Sequence, residues 1–585
     1  MQWGRFLPFA ALGLLTLSGH AWADSHPPGV TYPLKPAVLQ PDGLAQPLPS
    51  TRRYVLVWKD QLADAVISIS AAQKDFIVTH YVGSQKLFQS QIDEYRQKNP
   101  NFLMLVYHLA YGLNGADQAN PVGNITGVNK WGQEDTDNFT PYVQSKGLTR
   151  ENAYQHSTSP ASQSNRVSYP DPYWLMDVAS TEWRSYLFDT LLEWQGYPTA
   201  KATGVFLDVG FPPWYSYQPD GWWAEPAGGA SRQALIAWWN PRAKDYFNAM
   251  RAAFAPGNGH PRYLVIPNPD ALVDGTDEPE FLEGTDGAFT ENWQVAMSNP
   301  GDWNLSARRV CKYVTSAAKV WMVDITQAGT SLSQADREMI LGSFLLLRNA
   351  TSYIMLGGGD ITWYPEYEID LGGYEQEPPA DLESLRVAGD GAAQGGLYLR
   401  PHVRGMVLVN SSASAQSYTL PSAMKRAVWS GGGEVTADGT LPSQTLTYDL
   451  DVPAGPLQVP ARSVMILRDP AGAPPPGEEP GSTQDGGTGG SGGTGGGGSG
   501  GSGAAGGGAT GGSGGNAGAA GTGASSKGGA AGGAGASAGA AGSANAAASD
   551  DSGGCGCRTG RSRGVAEMIG AVLFAAVALR RRRRR

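Results

Sequence analysis

The sequence predicts an α/β fold, a (β/α)8 barrel over residues 51–378 followed by a small antiparallel β-sandwich over residues 379–470. First, eight short apolar or β-branched runs alternate with longer helical patterns, which is typical of parallel strands buried beneath helices. Second, short strands separated by Gly, Ser and Pro turns follow residue 378 without intervening helices. Third, a long polar and Gly-rich insert at 110–179 suits a large loop at one end of a barrel.

Each element is predicted from the spacing of its apolar residues. The barrel strands are 54–58, 76–80, 102–108, 204–208, 263–268, 287–291, 320–324 and 352–356. The helical stretches with apolar residues every three or four positions include 182–195, 232–254 and 333–348. The sandwich strands are 397–400, 406–410, 417–420, 425–429, 446–450 and 463–467.

The N-terminus predicts a secretory signal peptide, residues 1–23. Arg5 provides a positive charge, an apolar stretch follows, and Ala21-Trp22-Ala23 has the small-x-small pattern of a cleavage site. The alternative is an uncut membrane anchor, but the apolar stretch is short for a membrane span. A Pro-rich lead occupies residues 24–50.

Residues 471–552 predict a disordered Gly/Ser/Ala-rich linker. In 481–550, 31 residues are Gly, none is aromatic, and the Gly residues have no period of three, which excludes collagen. A flexible chain of this length has an r.m.s. span of about 45–55 Å. The net charge is −10 and the tail from Arg558 carries +8, so the remainder carries −18. Such an acidic remainder argues against a nucleic-acid partner.

The C-terminal segment, residues 553–585, has three features in a fixed order. Cys555 and Cys557 come first, an apolar helix is predicted over 565–579, and six Arg close the chain. This tail resembles the MYXO-CTERM sorting signal of myxobacteria. The resemblance implies removal of the tail by a sorting protease and retention at the bacterial outer membrane, through Cys555 or Cys557. A plain C-terminal membrane anchor is the alternative.

No cofactor or metal is expected. Cys311 is alone in the folded region, and the sequence has no Cys/His spacing suited to zinc. The Gly357-Gly358-Gly359 run lacks the spacing of a nucleotide-binding loop. We expect a monomer.

Candidate site residues come from the carboxyl ends of the predicted strands, where the following loops of such a barrel converge. The last polar or aromatic residues of these strands are Trp58, His80, His108, Asp208, Asn268, Glu291 and Asp324. Aromatic residues, among them Trp214 and Trp293, occupy the segments expected to surround the opening. Carboxylates ringed by aromatic residues suit glycoside cleavage, in which one carboxylic acid protonates the leaving oxygen and a carboxylate attacks or activates water.

Asp208 is the strongest candidate for nucleophile or base, and Glu291 is the candidate general acid, a role that needs a raised pKa. The alternatives are an Asx turn for Asp208 and a structural ion pair for Glu291. The expected substrate-binding residues are Trp58, His80, His108, Trp214, Asn268, Trp293 and Asp324. A structural role is an equal alternative for His80, His108 and Asp324.

The region from about 54 to 467 resembles the hypothetical glycosyl hydrolase family 15. The motifs are WLMDVASTEWR at 174–184, GVFLD at 204–208, GAFTENW at 287–293, YPEYEIDLG at 364–372 and PARSVMIL at 460–467. The resemblance implies a TIM-barrel glycosidase without naming a sugar. The chain lacks the Asn-Glu pair of the largest clan of barrel glycosidases. Its layout, Asp on the fourth strand and Glu on the sixth, is closer to α-glycosidases and polygalactosaminidases.

Two functions remain open. One is a surface-displayed glycoside hydrolase acting on extracellular or cell-wall polysaccharide without a metal. The other is a non-catalytic polysaccharide-binding protein that kept the barrel. If Asp208 and Glu291 face each other across the barrel mouth, the enzyme is favoured. Retention or inversion of the anomeric centre depends on the separation of the two carboxyl groups.

Overall fold

The computed structural model describes residues 37–39, 45–47 and most of 55–470. The gaps are 61, 63–67, 86, 88, 115–123, 126–128, 131–137, 157–159, 170–172, 195–201, 209, 211–231, 257–261, 270–271, 273–277, 298, 326–331, 358–360 and 374–377. The signal peptide, most of the Pro-rich lead, the linker and the sorting segment with Cys555 and Cys557 lie outside the described residues. Within the described part, no helix has the length and apolarity needed to cross a bilayer.

Eight parallel strands form one near-closed barrel, as predicted. They are β1 Val57–Lys59, β2 Tyr81–Gln85, β3 Leu103–Leu109, β4 Gly204–Asp208, β5 Leu264–Pro267, β6 Gly287–Glu291, β7 Val320–Asp324 and β8 Ser352–Ile354. The helices between them are α1 Ala71–His80, α2 Gln89–Lys98, α3 Thr181–Trp194, α4 Arg232–Ala253, α5 Pro300–Val310 and α6 Gln334–Leu347. A 3₁₀ turn, Glu280–Gly284, lies between β5 and β6.

Seven of the eight predicted barrel strands are confirmed within a few residues, but the second is wrong. Residues 76–80 belong to α1, and the strand follows at Tyr81. The apolar run Phe76-Ile77-Val78 fits a buried helix as well as a strand. The helix is selected by a capping box, in which Ser70 accepts from the Gln73 amide and Gln73 reaches back to Ser70.

The strands pair with their sequence neighbours around the barrel, in the order β5-β4-β3-β2-β1-β8-β7-β6. Among the described residues, β5 and β6 share no ladder, and we call the gap between them the seam. Near the amino ends of these strands, the Asp286 amide donates to Val265 O at 3.0 Å. The Asp286 carboxylate accepts from the Val265 amide at 3.1 Å, so this residue joins the two strands.

Side chains alternate between two apolar layers because successive residues of a strand point to opposite faces. The interior layer is a separate core cluster, in which Phe206 packs edge-on against Phe289 with ring centroids 4.7 Å apart. Residues that alternate with the interior ones along a strand, such as Leu207 on β4 and Val323 on β7, belong to the larger cluster beneath the helices. The barrel interior is therefore filled with side chains below its mouth.

Ring and charge contacts join the described segments of the insert after β3. Tyr173–Leu175 pairs antiparallel with Gly112–Asn114. The Arg166 guanidinium lies 3.6 Å from the ring centroid of Tyr154 and donates from Nε to Glu151 at 3.0 Å. Hydrogen bonding from Arg166 lowers the pKa of Glu151.

Antiparallel sheets follow the barrel, as predicted. The strands are β9 Arg386–Gly391, β10 Gly395–His402, β11 Gly405–Asn410, β12 Gln416–Leu420, β13 Met424–Gly431, β14 Gln444–Val452, β15 Gly455–Val459 and β16 Ser463–Arg468. A six-stranded sheet has the order β9-β10-β11-β16-β13-β14, and β12 pairs with β15. Leu420 and Val459 of that pair share a core with Leu408 of the larger sheet. All six predicted strands are present, and the sequence missed β9, β15 and the two-residue strand Gly433–Glu434, which pairs with Thr362–Trp363.

The six-stranded sheet packs against the barrel helices. Gly342 of α6 allows this close approach, because a Cβ there would lie 2.4 Å from Val464 of β16. Arg400 of β10 donates to the carbonyl of Leu346 at 3.0 Å and so caps the carboxyl end of α6 across the interface. The buried His402 lies in the same interface. Burial, with the nearby Arg348 and Arg400, holds the pKa of His402 well below its usual range.

This buried imidazole predicts a loss of stability in acid. Below about pH 6.5 the unfolded chain gains a proton at His402 that the folded chain does not. Through His402 alone, each further pH unit of acidification then lowers the free energy of unfolding by up to about 1.4 kcal/mol. We expect urea unfolding to show a shallower decline between pH 6.5 and 5 in His402→Gln than in the unaltered protein. Equal slopes in the two proteins would contradict this role.

Candidate active site

The polar residues at the barrel mouth lie two positions beyond interior apolar residues. Phe206, Phe289 and Met322 belong to the interior cluster. Because side chains two apart on a strand share a face, the next inward positions are polar or charged. They are Asp208 on β4, Asn268 immediately after β5, Glu291 on β6 and Asp324 on β7. The carboxyl ends of β4 to β7 therefore bring these four predicted residues together.

A hydrogen-bonded chain connects the two predicted catalytic carboxylates. Asn268 Nδ2 donates to Asp208 Oδ1 at 3.0 Å and to Glu291 Oε2 at 2.8 Å. These two oxygens are therefore no more than 5.8 Å apart. Tyr107 donates its hydroxyl to the other oxygen, Asp208 Oδ2, at 2.7 Å. Asp208 and Glu291 thus face a common point at the mouth.

Asp324 is the neighbour of Glu291 across the β6–β7 ladder. The two residues are directly paired in register, so their side chains point to the same face of the sheet. Asp324 is fully buried. The mouth therefore carries a third carboxylate beside the candidate general acid.

Asn268 occupies a rigid backbone position. It lies between Pro267 and Pro269, and a residue before proline is restricted to extended conformations. Its amide donates to Leu207 O at 2.9 Å, and its carbonyl accepts from the Gly210 amide at 3.0 Å. Both bonds join the ends of β4 and β5, which fixes Asn268 relative to Asp208.

The sequence did not predict Tyr107 as a site residue. The prediction used the last polar residue of each strand, and on β3 that residue is His108. The structure pairs His108 with Leu207, a member of the outer core cluster. The His108 ring accordingly lies 6.2 Å from that of Trp183 on α3. Tyr107 is the inward residue, stacked on Phe206. Counting in steps of two from the inward Leu103 would have found it.

The placement of His80 at the carboxyl end of a strand is wrong. His80 is the last residue of α1, immediately before β2, and so lies at the amino end of that strand. Its ring stacks on Phe76 with centroids 3.7 Å apart and meets Trp363 edge-on at 5.0 Å. The prediction that His80 binds substrate rested on a position at the carboxyl end of a strand, and His80 does not have that position.

Trp293 lies in the segment just after β6, where the sequence predicts it, but its side chain is not exposed there. Trp293 is fully buried in the outer core cluster, packs edge-on against Trp321 at 4.9 Å, and donates to Ser306 Oγ at 2.9 Å. It therefore fixes the packing after β6.

Trp58 lies in the barrel interior, as the alternation predicts, but it is fully buried. Its ring occupies the space beside Gly83 of β2, where a Cβ would lie 2.7 Å from it. Trp214 lies outside the described residues.

Within the described residues, no three His, Cys, Asp or Glu side chains are grouped so as to hold a metal ion. Cys311 is buried, and burial raises the pKa of its thiol to about 12. A thiol of this kind is a poor nucleophile at neutral pH.

Gly210 allows β4 and β5 to lie close together beside the site. A Cβ at Gly210 would lie 2.6 Å from Cβ of the rigid Pro267 ring.

We expect Gly210→Ala to lower the free energy of unfolding by about 1–3 kcal/mol. Alanine also restricts the unfolded chain, which favours folding, but the clash with Pro267 outweighs this smaller effect. Urea denaturation measures this change. Gly301→Ala is the control, because its nearest neighbour would be 3.3 Å away. Equal free energies of unfolding for Gly210→Ala and Gly301→Ala would refute the claim that a Cβ at Gly210 clashes with Pro267.

Comparison with solved structures finds distant likenesses. A noncanonic maltogenic alpha-amylase from Thermotoga neapolitana is 8% identical, with 70% of this chain and 98% of that chain covered and a TM-score of 0.37. An Anoxybacillus alpha-amylase is 10% identical, with coverages of 68% and 89% and a TM-score of 0.31. Aspergillus fumigatus Ega3, in complex with galactosamine, is 10% identical, with coverages of 56% and 95% and a TM-score of 0.28. At these scores the likenesses carry no argument about substrate or mechanism.

No curated protein matches the chain. A family model does match, over residues 96–402, which is more than half of the chain. The matched region contains β3 to β8 and therefore all four polar residues of the mouth. The family resemblance expected from the sequence motifs is confirmed: the chain belongs to the hypothetical glycosyl hydrolase family 15.

Proposed function

We propose that the protein is a retaining glycoside hydrolase that cleaves extracellular or cell-wall polysaccharide, with Asp208 as nucleophile and Glu291 as general acid and base. The observation that carries this proposal is the shared Asn268 donor, which holds the facing carboxylate oxygens within 5.8 Å. Retaining glycosidases have carboxyl groups about 5–5.5 Å apart, whereas inverting enzymes need about 6.5–9.5 Å to admit a water molecule. Family membership supports a carbohydrate substrate.

In the first step, Glu291 gives its proton to the glycosidic oxygen while Asp208 attacks the anomeric carbon. The bond to the leaving sugar breaks, and a covalent glycosyl–Asp208 ester forms. In the second step, Glu291 takes a proton from water, whose oxygen attacks the anomeric carbon and releases Asp208. Hydrogen bonds to both oxygens of Asp208 orient it for attack.

Asp324 is proposed to act through Glu291 rather than on the substrate, because its carboxylate is fully buried. Its position next to Glu291 on the adjacent strand supports this role.

We further propose that the enzyme is secreted and displayed at the cell surface. The support is the order of sequence features: signal peptide 1–23, linker 471–552 and sorting segment 553–585. A linker of this length would let the barrel reach polymers within tens of ångströms of its attachment.

Removing either carboxylate should abolish hydrolysis without unfolding the barrel. We expect Asp208→Asn and Glu291→Gln each to lower kcat by about 10²–10⁴ or more. The measurement is release of reducing ends from α-glucans, β-glucans, galactans, xylans, amino-sugar polymers and peptidoglycan. Asp449→Asn and Glu434→Gln are matched controls, because both carboxylates are exposed on the antiparallel sheets.

Near-full activity in either site variant would refute that residue's role. If the unaltered protein binds a polymer of the panel but releases no reducing ends, the non-catalytic binding function replaces the hydrolase.

The carboxyl separation predicts the stereochemistry of the product. We expect the first sugar released to keep the anomeric configuration of the substrate, because two displacements restore it. Proton NMR, recorded before the product mutarotates, distinguishes the two anomers. An inverted first product would exclude the nucleophilic role of Asp208.

A further inference from the structure

The strand ladders alone do not set the distance between Asp208 and Glu291. β4 is ladder-paired with β5, whereas among the described residues β6 is ladder-paired only with β7. The two catalytic carboxylates therefore lie on opposite sides of the seam. At the amino end the seam is joined by Asp286, which contacts Val265. At the carboxyl end it is crossed by the bond from Asn268 to Glu291.

Asn268 is well suited to hold the carboxyl end of the seam. Its exposed fraction is 3%, and its backbone bonds to Leu207 and Gly210 attach it to β4. Its amide orientation is determined, because a carbonyl oxygen in place of Nδ2 would face two carboxylate oxygens. Only the NH₂ group can serve both acceptors at once.

We propose that Asn268 is a positioning residue that sets the carboxyl separation across the seam and assigns the catalytic proton to Glu291 Oε1. An oxygen that carries a proton is a poor acceptor, so the bond from Asn268 makes Oε2 the carbonyl oxygen of the acid form. Oε1 then delivers its proton to the glycosidic oxygen and takes one back from water. This inference rests on the proposed function, since it assigns a task to Glu291 within that mechanism.

Tyr107 is the control residue for Asn268, because both donate a hydrogen bond to Asp208. It donates to Asp208 alone, whereas Asn268 donates to both carboxylates. Among the described residues, the titratable groups at inward positions near the mouth include Asp208 on β4, Asp324 on β7 and Tyr107 on β3. Asp60 lies two positions beyond the inward Trp58 of β1. Replacing Asn268 with an uncharged residue leaves all of them in place, so a change at Glu291 reports the lost donor.

The first test needs no substrate. In the full chain labelled with ¹³C at the glutamate carboxyls, the Glu291 signal is identified by its loss in Glu291→Gln. We expect its titration midpoint to rise by about one pH unit in Asn268→Leu, because the lost donor favoured the charged form. In Tyr107→Phe we expect it to stay unchanged. If Asn268→Leu does not fold, Asn268→Ala is also uncharged, also removes the donor, and should likewise raise the midpoint. An unchanged midpoint in the folded Asn268 variant overturns the proposal.

The second test separates positioning from a structural role. On the polymer of the panel that the unaltered protein cleaves fastest, we expect the Asn268 variant to lower kcat about 10²-fold with KM changed less than about 3-fold. Both limbs of its pH–rate profile should move to higher pH, whereas Tyr107→Phe should move only the acid limb. If the Asn268 variant lost activity while its pH–rate profile stayed in place, Asn268 would have only a structural role and the proposal would be overturned. If the unaltered protein cleaves no polymer, the proposed function fails, while the carboxyl titration still decides whether Asn268 controls Glu291.

Discussion

The alternation of side chains along parallel strands is the constraint on which the site depends. In a sheet that nearly closes on itself, inward residues can only meet other inward residues. Phe206 and Phe289 fill the interior, and two residues further on the same face carries Asp208 and Glu291. The apolar interior therefore acts as the floor beneath the carboxylates, and the position of each carboxylate follows from the register of its strand.

The seam makes the separation of the two carboxylates sensitive to substitution. Seven of the eight neighbouring strand pairs are joined by ladders, and the remaining pair carries the candidate general acid on one side and its amide donor on the other. At the amino end Asp286 joins the two strands through both its backbone amide and its carboxylate, and at the carboxyl end the Asn268 side chain joins them. A carboxyl separation that depends on one hydrogen bond is sensitive to a single substitution, because displacements of about 1 Å matter in catalysis.

The antiparallel sheets support the barrel from the side of α5 and α6. Trp303 of α5 lies 4.9 Å from Tyr398, Gly342 of α6 packs on Val464, and Arg400 caps the end of α6. These helices follow β6 and β7, the strands that carry Glu291 and Asp324. The sheets therefore support the helices that follow the strands of Glu291 and Asp324.

The sequence by itself determined the architecture, because apolar spacing and turn residues are local. It located Asp208, Asn268, Glu291 and Asp324, since each ends or directly follows a strand with a continuous apolar run. It failed at 76–80, where a short apolar run suits helix and strand equally, and at His108, Tyr107 and Trp293, whose directions depend on register and packing. Only the tertiary structure decided which side chains face inward, that β5 and β6 meet at a seam, and that one amide joins two carboxylates. These are contacts between residues distant in sequence, and local spacing carries no information about them.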